Sequence, residues 1–393
     1  MEMTSLLFLL CAGVCCTAAL SRLRQFHLYE NKTLNWTDAQ DFCRENYTDL
    51  VTLYNQEESE QLKQLMASNS SYKAWIGLHR KEHSLKWSNG DTVNDTAWLP
   101  LPSPSTEPMC ATILKDNTTW ENCTEQKNFM CYKTHAPQQH PGSRDFFLIE
   151  QNMTWYKAQS YCRKNYTDLV SIRNEGQKEE VGMNSTTGMN STTAYWIGLL
   201  YDDWEWSDGG RSAYRNWLTT SHYPNAGQNH TVLCRSSEIV GTVPNKDQYT
   251  FCSEGSVRIH AIRERKSWEQ ALDYCKKNYH GLLRIETEED LGAIKQKFNG
   301  TDFNGPVWVG LRQSRLFGFW IWTNGLPVGW SNWEGDRQPE QPLSNHCGAM
   351  AMKEGHKWSD QDCLSKRYFI CEEEIHFPLV NLINSLYHFS HFD

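Results

Sequence analysis

A four-residue segment occurs three times in this chain, as Trp75-Ile76-Gly77-Leu78, Trp196-Ile197-Gly198-Leu199 and Trp308-Val309-Gly310-Leu311. Each reads as a short buried strand, because apolar and β-branched residues run without a polar break. A glycine inside such a strand marks a place where another backbone or a large ring comes close. A second marker follows each copy: Trp87-Ser88-Asn89-Gly90, Trp206-Ser207-Asp208-Gly209 and Trp322-Thr323-Asn324-Gly325. Asn-Gly and Asp-Gly accept positive φ at low cost, so each marker reads as a strand end entering a tight hairpin. Trp75, Trp196 and Trp308 stand 121 and 112 residues apart. That is far beyond the period of roughly 20–50 residues that makes a solenoid. The repeating unit is a whole domain, and the chain holds three of them.

A helix surrounds the first cysteine of each copy. Trp36, Ala39, Phe42, Cys43 and Tyr47 follow helical spacing, as do Trp155, Ala158, Tyr161, Cys162 and Tyr166, and Trp268, Ala271, Leu272, Cys275 and Tyr279. Asn35, Thr154 and Ser267 stand before these helices as N-caps, and Ser267 with Gln270 makes a capping box. The apolar pairs Leu50-Val51, Leu169-Val170 and Leu282-Leu283 then read as short strands. A second helix follows in copies one and three, for example Leu291, Ile294 and Phe298 after Thr287. In copy two that region reads as the hexapeptide Gly182-Met183-Asn184-Ser185-Thr186-Thr187, duplicated at 188–193, and so as a glycosylated loop instead of a helix. Short linkers, 135–143 and 253–256, separate the copies.

Seventeen Trp within an aromatic fraction of 12% supply ample core material. A net charge of −9 removes the general attraction that a nucleic-acid binder needs. The apolar run Leu6–Cys16 followed by Thr17-Ala18-Ala19 reads as a signal peptide over 1–19, although no Lys or Arg precedes it. Thirteen Asn-X-Ser/Thr sequons support secretion: Asn31, Asn35, Asn46, Asn69, Asn94, Asn117, Asn122, Asn152, Asn165, Asn184, Asn190, Asn229 and Asn299. No later segment, the 374–393 tail included, reaches the ~20 apolar residues of a membrane helix. The expectation is a secreted chain, or a receptor ectodomain without its anchor.

Taking Cys11, Cys15 and Cys16 away with the signal leaves eleven cysteines, an odd number for an oxidising compartment. Copy one holds Cys43, Cys110, Cys123 and Cys131, and copy three holds Cys275, Cys347, Cys363 and Cys371. Copy two has only Cys162, Cys234 and Cys252, and its missing cysteine aligns with Pro244.

The order of these signals, with Asn216-Trp217 and Asn332-Trp333 between the second marker and the last cysteines, resembles the C-type lectin domain. The likeness covers 24–132, 144–253 and 257–373, and tandem copies are similar to the macrophage mannose receptor group. It implies an α+β fold with two helices per copy, small antiparallel sheets and a long loop that holds calcium in sugar-binding members. It also implies pairing of Cys43 with Cys131, Cys110 with Cys123, Cys162 with Cys252, Cys275 with Cys371 and Cys347 with Cys363, with Cys234 unpaired.

In sugar-binding members a proline lies between two ligands of Glu-Pro-Asn or Gln-Pro-Asp type, a further acid precedes the third-from-last cysteine, and Trp-Asn-Asp precedes the second-from-last. Calcium takes roughly six to eight oxygens, several of them carboxylates, and vicinal sugar hydroxyls complete the shell. Copy three comes nearest to the pattern, with Gln338-Pro339-Glu340, Asn345 two before Cys347, and Trp358-Ser359-Asp360. Gln338, Glu340, Asn345 and Asp360 are therefore the candidate sugar and calcium ligands. The Gln-Pro-acid order is similar to galactose-type sites. Copies one and two lack the pattern: a Pro-rich run, 99–108, stands in the first and only Tyr223-Pro224-Asn225 in the second.

Two functions follow as expectations. One is an extracellular lectin or endocytic-receptor-like protein that binds glycans or glycoproteins, with copy three as its calcium-dependent site. The other is a calcium-independent scaffold whose sugar sites have decayed and whose loops bind protein ligands. No Gly-X-Ser-X-Gly elbow, phosphate loop or metallohydrolase helix is present, so an enzyme is not expected.

Overall fold

The computed structural model describes residues 21–66, 72–91, 93, 101–102, 107–115, 117–134, 144–172, 174–184, 194–218, 227–299, 303, 305–314, 318–339 and 346–375. The expected signal peptide, the 135–143 linker and nearly all of the tail lie outside them. The first copy contributes β1 (Gln25–Leu34), α1 (Trp36–Asn46), β2 (Asp49–Leu50), α2 (Gln56–Leu65), β3 (Lys73–Trp87), β4 (Met109–Leu114), β5 (Asn117–Asn122) and β6 (Lys127–Thr134). The second contributes β7 (Arg144–Met153), α3 (Trp155–Asn165), β8 (Asp168–Leu169), α4 (Glu175–Asn184), β9 (Tyr195–Trp206), β10 (His230–Cys234), β11 (Ile239–Thr242) and β12 (Gln248–Glu254). The third contributes β13 (Val257–Lys266), α5 (Trp268–Asn278), β14 (Gly281–Leu282), α6 (Glu288–Lys297), β15 (Val307–Gln313), β16 (Trp320–Trp322), β17 (His346–Met350), β18 (Trp358–Asp362) and β19 (Arg367–Glu374).

The chain is α+β, as expected, and the caps fall where the sequence places them. Asn35, Thr154 and Ser267 accept from Asp38 N, Lys157 N and Gln270 N, and Ser267 with Gln270 forms the capping box. The glycine of each repeated strand sits against a neighbouring backbone. A Cβ at Gly310 would come 2.8 Å from Leu282 O, and one at Gly198 would come 3.0 Å from Leu169 O. One local expectation fails, because copy two does form its second helix. Asn174 Oδ1 accepts from Gln177 N, and Val181 is fully buried, so the duplicated hexapeptide takes only the end of α4.

By contact the chain divides into two compact units, with copies one and two together in one of them. One is Phe26–Ser253; the other is Glu254–Ile375 together with the chain up to Gln25. In the latter, Leu23 is fully buried in the core of the third copy and bridges Val257. Ser21 Oγ donates to Asp290 Oδ1 at 3.0 Å. Gly255, at φ +76°, would carry a Cβ only 2.4 Å from Leu23 O, so glycine is required where this segment crosses. Arg24 N likewise donates to Val257 O at 2.7 Å.

The third copy closes on itself. Its first and last strands, β13 and β19, pair antiparallel, and β15 turns back through β16 so that Leu311 faces Trp322. Copies one and two instead exchange halves. The strand β3 runs unbroken from the first marker to the second, across the stretch where copy three turns back, as does β9, and the two pair with each other: Leu78 opposite Trp206 and Trp87 opposite Leu199. One core then joins Val51, Leu53, Ile76 and Leu78 to Trp204, Trp206, Leu233 and Phe251. A second joins Trp87, Ile113 and Met130 to Val170, Ile197 and Leu199. Disulfides follow the exchange, linking Cys43 to Cys252 and Cys131 to Cys162 where Cys43–Cys131 and Cys162–Cys252 are expected. The bridges Cys110–Cys123, Cys275–Cys371 and Cys347–Cys363 lie within copies, and Cys234 is a half-buried free thiol. Pro244 does stand in place of a cysteine: its carbonyl accepts from Trp36 N, as Cys123 and Cys363 accept from Trp155 N and Trp268 N.

Two features of the sequence favour exchange. In a closed copy the first and last strands pair across about a hundred residues; here β6 and β7 pair across the short linker, with Cys131 opposite Phe147. A tenfold shorter loop saves about 2 kcal/mol of closure entropy, and doubling the span of the β1–β12 pairing returns about 0.6 kcal/mol of that. The second feature is turn chemistry. Residues 79–86 and 200–205 contain no Gly, Pro or Asn, whereas the corresponding stretch of copy three has Gly318 at φ +73°. With no residue there that takes positive φ as readily as glycine, both stretches extend.

An ion network sits on the crossing strands. Asp202 receives Lys86 Nζ at 2.8 Å and Arg215 Nε at 3.0 Å, with Asp202 and Arg215 almost wholly buried. Arg215 also donates to the carbonyls of Ser212, Tyr214 and Trp204. Burial alone would push the Asp202 carboxyl up; Arg215 and Lys86 outweigh it and hold the group below its ordinary 3.8. Its contribution is thus complete above pH ~4 and is lost as pH falls further. Asp202→Ala strands two buried cations, and a loss of about 3–5 kcal/mol is expected in urea unfolding at pH 7, shrinking toward acid pH. Peptide mapping of the unreduced chain, with thiols blocked in acid, should yield Cys43–Cys252 and Cys131–Cys162. Recovery of Cys43–Cys131 would show that the halves are not exchanged.

Candidate functional site

The loop side of the third copy is built on tryptophan. Asn332 Nδ2 donates to Gly355 O at 3.0 Å and to His356 O at 3.1 Å, while its own carbonyl accepts from Trp358 N. This lines Trp333 up beside Trp358 as a parallel bridge. Trp320 and Trp333 meet at a tilt of 59° with centroids 4.8 Å apart, and Trp322, Trp330 and Trp333 surround Trp358 at 5.4–5.7 Å. Trp320 Nε1 donates to Pro339 O at 3.4 Å, which ties the Gln338-Pro339 loop to this cluster. A 3₁₀ turn, Glu334–Asp336, precedes it, and Lys357 Nζ meets Asp336 at 2.6 Å on the surface.

Of the four sequence-predicted ligands, Gln338 is exposed on this loop and Asp360 is partly buried on β18. Glu340 and Asn345 lie outside the described residues. Asp360 Oδ2 lies 2.8 Å from His346 Nδ1, a contact that is an ion pair only when the ring is protonated. The antiparallel pairing of β17 with β18 puts His346 opposite Asp362, so the ring reaches Asp360 two residues along the same face. Sequence reasoning overlooked His346. The signal was available, since the cysteine pair 347 and 363 fixes the register of these strands.

Of the four expected ligands the described residues place two, an amide oxygen on Gln338 and a carboxylate on Asp360, the latter beside the His346 ring. No group of three His, Cys, Asp or Glu able to hold a metal occurs among the described residues. Nearby His356 is buried, and among the described residues neither ring nitrogen has a partner; burial, then the Lys295 charge, lowers its pKa. The chemistry of this face is therefore aromatic support beneath a polar loop, suited to binding and not to bond making.

Two helices, a disulfide-clamped sheet and a long loop footed on tryptophan define a lectin-type recognition domain, present here three times. The sequence pattern of the family "Lectin C-type domain" matches residues 32–133, 151–253 and 264–373, and the chain belongs to that family. It is similar to the secretory phospholipase A2 receptor of Bos taurus, 27% identical over 405 residues, which cover 86% of this chain and 27% of the relative. The C-type mannose receptor 2 of Mus musculus is 21% identical over 429 residues, covering 88% and 28%. The chain thus spans about a quarter of the length of the curated relatives it matches. Among solved structures, the mouse scavenger receptor C-type lectin carbohydrate-recognition domain overlaps 31% of this chain and 92% of its own, with 25% identity and a TM-score of 0.27. Domains of this family are binding modules, not enzymes. No helix of the described residues is long and apolar enough to cross a membrane.

Asn332→Ala removes the hydrogen bonds to Gly355 O and His356 O and frees the Trp333–Trp358 bridge. We expect a loss of about 1–3 kcal/mol, read by tryptophan fluorescence during urea unfolding.

Proposed function

We propose that this chain is an extracellular recognition protein of the mannose receptor type, that its third copy carries the binding face for glycans or glycoproteins, and that recognition there needs no calcium. The distribution of sequons supports the choice of copy: seven fall in copy one, five in copy two and only Asn299 in copy three. Asn31, Asn46, Asn117, Asn152, Asn165 and Asn229 are exposed, so glycans there would cover the exchanged pair of copies. Asn69, Asn94 and Asn190 lie outside the described residues. In this reading the chain is secreted through its 1–19 leader, or is the ectodomain of an anchored form.

The observation that carries calcium independence is the His346–Asp360 pair. Of Gln338, Glu340, Asn345 and Asp360 only two are carboxylates, and one of these lies against the His346 ring. The four residues serve in this reading as hydrogen-bonding contacts to the ligand, with protein ligands bound in the same way.

A second reading keeps a calcium-dependent, galactose-type site in copy three. The anchoring of Pro339 by Trp320 favours it, because that contact holds the Gln-Pro-acid loop in one place. Calorimetric titration of the whole chain with calcium, alone and with galactose or mannose, separates the two. No heat is expected for calcium in any combination. Saturable calcium heat that grows with galactose would sink the calcium-free reading and establish the second.

A further inference from the structure

We propose that Arg263, Arg265 and Arg367 of the third copy form a binding face for a sulfated polysaccharide. This site uses none of the Gln338–Asp360 loop and goes beyond the reading given above. The three arginines come from one end of one strand pair, where Lys266 of β13 lies opposite Arg367 of β19. Aromatic rings hold each guanidinium in place. Arg263 lies over Phe303 at 4.9 Å, Arg265 over Tyr368 at 4.9 Å and Arg367 over Trp308 at 5.4 Å. Phe303 and Tyr368 themselves meet edge-on at 6.0 Å, so the cations form a continuous row and not a scatter of surface charges.

None of the three has a carboxylate partner among the described residues. Glu264, the acid between Arg263 and Arg265, is taken by Lys266 at 2.8 Å. Arg367 donates to the neutral amide oxygen of Gln361. Burial, and then the neighbouring Arg265 charge, lowers the pKa of Arg367: two like charges are held together without an anion between them. In a chain of net charge −9 an uncompensated row of this kind is out of keeping with the rest.

The other copies supply an independent observation. Arg263 and Arg265 stand five and three residues before Trp268; the same offsets give Asn31 and Thr33 before Trp36, and Glu150 and Asn152 before Trp155. Asn31-Lys32-Thr33 and Asn152-Met153-Thr154 are both sequons. The strand end that would carry an N-glycan in copies one and two is a bare row of arginines in copy three.

Linear geometry and permanent charge select the ligand. Alternate residues of a strand are about 7 Å apart, so Arg263 and Arg265 present regularly spaced forks on one side. Guanidinium matches planar or tetrahedral oxyanions in a two-pronged manner and is weakly hydrated. A narrow row of three cations suits a flexible linear polyanion, which can follow the strand end and meet each fork in turn.

The test is surface plasmon resonance of the whole chain on an immobilised heparin-type polysaccharide, across a salt series and in excess chelator so that a calcium site plays no part. Saturable binding that weakens with salt is expected. The double variant Arg263→Gln/Arg265→Gln should lose about tenfold or more in affinity, and its log–log salt slope should shrink by about two. Lys276→Gln/Lys353→Gln, with the same net charge on other exposed positions, should bind as the parent does. If the Gln variant melts early, Arg263→Lys/Arg265→Lys keeps the charge and should still bind more weakly. The proposal is overturned if the parent does not bind, if a desulfated polymer of equal length binds equally, if the Arg variants match the parent, or if anionic phospholipid vesicles are bound while the polysaccharide is not.

Discussion

Every lectin body in this chain is shut by one clasp. The glycine of the central strand offers its carbonyl to the residue after the marker tryptophan: Thr323 N to Gly310 O at 2.8 Å, Ser207 N to Gly77 O at 2.8 Å, and Ser88 N to Gly198 O at 2.6 Å. The same glycine donates its N–H to the short strand after the first helix, at Leu283, Val51 and Val170. With both backbone groups used and no side chain in the way, the strand lies between two neighbours at once. Clasp residues come from one copy in the third body and from two copies in the exchanged pair. The interaction is blind to that difference, because it reads local backbone geometry and not the path of the chain between.

This blindness allows the exchange, and smaller terms then decide it. Since each exchanged body repeats the contacts of a closed one, burial and hydrogen bonding nearly cancel in the comparison. A difference of one or two kcal/mol in loop closure and the absence of Gly, Pro and Asn from two connecting stretches are enough to tip the balance. Polar side chains then reinforce the choice. Ser207 Oγ donates to Asp49, which Arg44 also holds, and the mirror arrangement links Ser88, Asp168 and Arg163. Each of these triads spans two copies, as does the buried Lys86–Asp202 pair.

What was legible in the sequence follows the same division. Elements could be read because their signals are local: the caps at Asn35, Thr154 and Ser267, the helical spacing behind them, and the Gly in each buried strand. The helix α4 was obscured by the duplicated hexapeptide at its end, although Asn174 and Val181 already marked its start and its buried face. Pairing between copies was not legible, since a closed and an exchanged arrangement present the same cysteines, the same strands and the same cores. The site was legible in part. Asp360 could be named as an acid after Trp358, but its partner His346 emerges only from the register of two antiparallel strands.

The exchange also shapes where function can sit. In the exchanged pair, the strand end before each helix ends in a sequon, and the chain between the two bodies runs through buried ion pairs that tolerate little change. The third copy is free of both constraints. Its β15–β16 hairpin keeps a true turn, its loop rests on tryptophans without being threaded through another copy, and its first strand ends in arginines. A fold whose core contacts are fixed by one backbone clasp can let its outer residues drift independently in each repeat. In this chain that drift leaves two copies whose surfaces are given over to glycan acceptors and to each other, and one whose surface remains open to a partner.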